Sequence, residues 1–134
     1  MSTRGMPFPQ PQADTRPDDL PEADRLLLDA ARAWGGPGPG GAVAQAALVL
    51  AAEGMERLAP VLDAALDPLV GLRLACPLCP RLTAEEATWL CALRLARAPG
   101  PNRGVALALL QALAPPLPAY HAMPPLLALA RATA

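Results

Sequence analysis

The chain has 134 residues, enough for one small domain and too few for two. Ala (30) and Leu (25) supply 55 residues, Lys and Ile are absent, and 11 arginines against 12 acids leave a net charge of −1. Ten β-branched residues are too few for a sheet-built protein, and scattered arginines without a basic run give no electrostatic footprint for nucleic acid.

Residues 1–19 hold Pro7, Pro9, Pro11 and Pro17 among Gln, Asp, Ser and Thr. Such a segment cannot bury enough surface to offset the entropy of ordering, so it reads as a disordered Pro-rich tail ahead of a single helical domain, 20–134. The first helix is expected from about Leu20 to Trp34. Asp18, Asp19, Glu22 and Asp24 sit at its positive end, Pro21 suits a first turn, and Leu20, Ala23, Leu27, Ala30 and Trp34 line one face. A Gly/Pro linker, Gly35 to Gly41, ends it. The second helix begins near Ala42. Its polar residues Gln45, Glu53, Glu56, Asp63 and Asp67 share one 3.6-period stripe that runs through Pro60, which predicts one long helix kinked at that proline with a solvated acidic face. Leu69 to Ala75 fits either a last helical turn or a short extended stretch. Cys76-Pro77-Leu78-Cys79-Pro80 is irregular, because two prolines three apart remove donors and restrain their neighbours.

Thr83-Ala84-Glu85-Glu86 is a capping box that opens a third helix running to Arg97, with Leu82 and Ala87 placed as a hydrophobic staple. Beyond Pro99-Gly100-Pro101, Asn102 reads as the N-cap of a fourth helix, Arg103 to Ala114. That helix is apolar all round except Gln111 and is therefore expected to be buried on all sides. Short helices at Ala119 to Met123 and Pro125 to Ala132 complete an all-α fold, a small orthogonal or up-down bundle of four to five helices. The uncharged stretches 33–52 and 104–130 are cut by glycines and prolines, so no integral membrane span is expected. Met1 to Arg16 carries no apolar core of signal-peptide length, which points to a cytoplasmic protein.

The residues with chemistry to weigh are Cys76, Cys79, Cys91 and His121, the last being the one histidine. Cys-x-x-Cys lets two thiolates reach one metal from a tight turn, and Cys91 and His121 would complete a Cys₃His zinc set; an iron–sulfur centre uses the same ligand type. Cys91 also lies on the stripe of Ala84, Ala87 and Leu95, where it would point into the core, so the plainest reading is of incidental or buried thiols. Cys-Pro-Leu-Cys has the form of a redox dithiol, although no strand precedes it as in the βαβ context of such motifs. A Cys-Pro haem ligand has no pocket to support it.

Other machinery is missing. Ser2 is the sole serine, a P-loop is impossible without lysine, and Glu53, Glu56, Asp63 and Asp67 lack the Glu-x-x-His pairs of a di-metal bundle. The Arg103–Ala114 segment, Val, Ala and Leu with one Gln, is not expected to read base edges. The expectation is a non-enzymatic helical accessory protein that binds another protein or itself, with a thiolate metal-binding or redox-sensing role as the alternative.

Overall fold

Leucines at helical spacing, punctuated by glycine and proline, set the element boundaries. A computed structural model describes residues 10–98 and 102–134. Among them are six α-helices and no strand: α1 (Glu22–Gly35), α2 (Gly41–Ala51), α3 (Ala59–Leu66), α4 (Ala84–Arg97), α5 (Asn102–Gln111) and α6 (Pro116–Ala132), with 3₁₀ turns at Pro17–Asp19 and Glu56–Leu58. The all-α bundle is as expected, with one helix more than the four to five read from the sequence. α1 packs on α2, α2 continues to α3, α3 lies on α6, and α4 packs on both α5 and α6. The shared core includes Leu27, Leu28, Leu50, Leu62, Trp89, Leu90, Leu110, Leu126 and Leu129. Each buried Leu contributes about 1.5–3 kcal/mol relative to exposure.

The long kinked helix is not formed. α2 stops at a left-handed Gly54 (φ +70°), where the Gly54 N–H donates to Ala51 O and the Met55 N–H to Leu50 O, both at 3.0 Å. This pair of bonds is the Schellman arrangement, which satisfies carbonyls that the helix end would otherwise orphan. Pro60 sits in the first turn of α3, where its missing N–H costs nothing, instead of kinking a helix interior. Glu53, Glu56 and Asp67 are exposed as the acidic stripe required, but Asp63 is half-buried and accepts from Trp34 Nε1 at 2.8 Å, tying α3 to α1.

At the other end, the two short helices are one. α6 runs through Pro124 and Pro125 because Ala119, Ala122, Met123, Leu126, Leu129 and Ala130 keep one buried face in phase across them. The carbonyls that lose their donors belong to Tyr120 and His121, both exposed, where water can serve them. α5 is not buried all round either. Ala106 and Leu110 are buried, while Gly104, Val105 and Ala108 are exposed. The expected cap at Asn102 adjoins residues 99–101, which lie outside the described residues.

Of the segment expected to be a disordered tail, residues 1–9 lie outside the described residues, whereas 10–19 pack on the bundle. Pro11 and Pro17 are buried, and the Asp14 N–H donates to Leu82 O while the Leu82 N–H donates to Thr15 O. The linker between α3 and α4 is tethered too. The Gly71 N–H donates to Leu113 O at 2.7 Å, an approach so close that a Cβ at Gly71 would stand 2.6 Å from that oxygen.

Candidate functional site

Two ion pairs clamp α1 to α4, and their order follows the helix ends. Asp24, in the first turn of α1, pairs with Arg97 in the last turn of α4; Arg32, in the last turn of α1, pairs with Glu86 in the first turn of α4. Every charge therefore sits at the helix end whose dipole favours it, which requires the two helices to run antiparallel. The Arg32–Glu86 pair is the most buried, with side chains 1% and 0% exposed. Arg32 Nε and Nη2 each donate to Glu86 at 2.9 Å as a bidentate fork. Burial opposes ionisation of Glu86, but the bonds from Arg32, Thr83 and Ala75 outweigh it and hold the carboxyl below its ordinary value. The same hydrogen bonds to Glu86 hold the Arg32 guanidinium above its already high value, against its own desolvation.

This pair also braces the cysteine loop. The capping box is complete, with the Glu86 N–H donating to Thr83 Oγ1 and the Thr83 N–H to Glu86 Oε1. Glu86 Oε2 accepts from the Ala75 N–H at 2.9 Å, one residue before Cys76. Arg32 donates to Cys79 O and Arg81 O, both at 2.9 Å. One buried pair thus fixes the loop on both sides of Cys76–Cys79.

The four predicted ligands are dispersed over three elements. Cys76 is exposed at the start of the loop, and Cys79 is half-buried with its thiol donating to Arg81 O at 3.4 Å. Cys91, on α4, lies under the N-terminal segment and donates to Pro11 O at 3.3 Å; burial pushes its thiol pKa up. His121 is exposed on α6. Among the described residues, no group of three or more His, Cys, Asp or Glu side chains is arranged to hold a metal ion. The structure brings Cys76 and Cys79 into one turn and leaves Cys91 and His121 on separate helices. Beside Cys79 lies a cleft of about 240 Å³, lined also by Arg16, Arg25, Asp29, Arg32 and Leu78. Arg25 is committed there to Asp18 and Asp29, whereas Arg16 forms no ion pair among the described residues.

Sequence reasoning found Glu86 as a cap but missed Arg32 as its partner. The signal was the spacing Asp24, Leu28, Arg32, an i, i+4 stripe whose three members are all buried on α1. Outside this region, large apolar side chains reach solvent at Leu48 on α2, Val105 on α5, and Leu117 and Tyr120 on α6. Among the described residues, no helix is long and apolar enough to cross a membrane. No family model, curated protein or solved structure matches the chain.

Proposed function

We propose that this chain is a non-enzymatic helical interaction protein that self-associates through the outer face of α2. One observation carries the reading. Gly41, Ala44, Leu48, Ala51 and Ala52 form a face without a charged residue, and Leu48 at its centre is 69% exposed. A two-fold seam opposes a surface to itself, and a face without charge creates no like-charge pair in doing so. The small alanines around Leu48 allow two helix axes to approach closely. On α5 the outward strip of Gly104, Val105 and Ala108 carries one large apolar side chain, Val105, which is 52% exposed.

An 11-residue helix is about 16 Å long, short of what the roughly 800 Å² per partner of a stable complex requires. The association is therefore expected to be weak, in the micromolar range. Sedimentation equilibrium across micromolar concentrations tests it. The wild type should rise toward twice the monomer mass, while Leu48→Glu should stay a folded monomer. A wild type that remains monomeric throughout, or a Leu48→Glu variant that dimerises equally well, overturns the proposal.

A further inference from the structure

We propose that Cys76 and Cys79 form a redox-active dithiol, closed to an intraloop disulfide by exchange with a small disulfide from solution. This goes beyond self-association and does not depend on it.

Reach comes first. The Cys79 N–H donates to Cys76 O at 3.0 Å, so Cys76-Pro77-Leu78-Cys79 is a β-turn with proline at its second position. Asp14 is the one described non-glycine residue at positive φ, so Leu78 is not left-handed and the turn is not of type II. A β-turn holds its first and fourth Cα atoms within about 7 Å, and a disulfide needs roughly 4.4–6.8 Å. The two cysteines are the ends of that turn. Closing it requires side-chain rotation and a small backbone adjustment, not refolding.

Bracing comes second. Glu86 holds Ala75 on one side, and Arg32 holds Cys79 and Arg81 on the other. With both flanks fixed by a buried pair, little chain entropy remains to be lost when the bond forms. The third point is the asymmetry of access. Cys76 is exposed beside Leu78, which is 92% exposed, while Cys79 is half-buried against the cleft. The outer thiol is placed to attack and the inner one to resolve.

The exchange balances in two displacements. The Cys76 thiolate attacks one sulfur of R–S–S–R; the Cys76 Sγ–S bond forms, the S–S bond breaks, and RS⁻ leaves to take up the proton released by Cys76. The Cys79 thiolate then attacks Cys76 Sγ and expels the second RS⁻, which takes the proton from Cys79. The dithiol loses two electrons and two protons, and the reagent gains them as two RSH. Cys91 takes no part, because it is covered by the N-terminal segment and burial keeps it a thiol. It is the internal control.

The test uses the full chain, reduced and then equilibrated with buffered mixtures of glutathione and its disulfide, acid-quenched, alkylated and mapped by mass. The wild type should end two hydrogens lighter, with Cys76 and Cys79 linked and Cys91 free. Cys79→Ser should stop at a glutathione adduct on Cys76. In urea, where the braces are gone, the same mixtures should hold the loop disulfide at least about tenfold less favourably. Stable glutathione adducts on the wild type without a loop disulfide, oxidation mapped to Cys91, or an equal disulfide equilibrium in native and unfolded chains would each overturn the proposal.

Discussion

Glu86→Gln isolates the charge of the buried pair while keeping its volume. In the native site, four donors converge on two carboxylate oxygens. Thr83 N and Arg32 Nη2 meet Oε1, and Ala75 N and Arg32 Nε meet Oε2. The amide replaces one oxygen with an NH₂ group, so two of these donors lose their acceptor and face another donor. Each buried unsatisfied donor costs about 1–3 kcal/mol, and breaking a buried ion pair by removing one partner costs about 3–5 kcal/mol in total. The larger figure contains the smaller, so the expected loss is about 3–5 kcal/mol of a typical 5–15 kcal/mol. With a urea slope near 2 kcal/mol/M, the unfolding midpoint followed by circular dichroism should fall by about 2 M.

The pH dependence has a definite sign. The folded pKa of Glu86 lies below its unfolded value, so its ionised form stabilises the fold fully above the unfolded value. That stabilisation is lost as pH falls through the folded pKa. The gap between wild type and Glu86→Gln should be constant near neutrality and shrink in acid. A Glu86→Gln midpoint that corresponds to a loss under about 1 kcal/mol, or a gap that does not move with pH, would refute the reasoning.

Thr83→Ala should cost about 1 kcal/mol through loss of the cap to Glu86 N, and Thr83→Ser should restore most of it; urea unfolding measures both. Gly54→Ala should destabilise by about 1–2 kcal/mol, because the residue is left-handed and a Cβ there meets nothing within 4 Å, so the cost is purely conformational. A continuous helix through this point would instead be stabilised by alanine, so the sign of the change in thermal midpoint decides between the two. Gly71→Ala should cost about 1–3 kcal/mol by forcing the linker off Leu113 O, and an unchanged midpoint would mean that the tether is absent.

The parts of the fold that were legible in the sequence are those encoded locally. The capping box at Thr83 and Glu86, the glycines after Trp34 and the proline near α1's start act within one helical turn, and the structure has them where the residues pointed. The second helix misled because period alone carried the stripe from Gln45 to Asp67, and Gly54, the residue that ends α2, was not weighed against it. Pro124 and Pro125 misled in the opposite sense: local rules break the helix there, while the buried face from Ala119 to Ala130 keeps it whole. For the site, the Cys-x-x-Cys turn was visible and its support was not. Arg32 and Glu86 are 54 residues apart; the stripe of Asp24, Leu28 and Arg32 marks Arg32 as inward-facing but does not say which acid it meets. The ligand set of Cys76, Cys79, Cys91 and His121 was assembled from residue type alone, which carries no information on which helix faces which.

The packed segment at residues 10–19 bears on how the chain is made. It leaves the ribosome before nearly everything it touches: Leu82 trails Asp14 by 68 residues and Cys91 trails Pro11 by 80. At about 5–20 residues per second, the segment waits several seconds for the start of α4 to be synthesised. The α1–α2 hairpin can pair in that interval, since its contacts are local and loop closure over short distances is fast. The N-terminal segment can dock only later, once Leu82 and the α4 residues that hold it are available. A nascent chain paused before residue 82 should leave this segment open to protease, and protection should begin only once α4 has emerged.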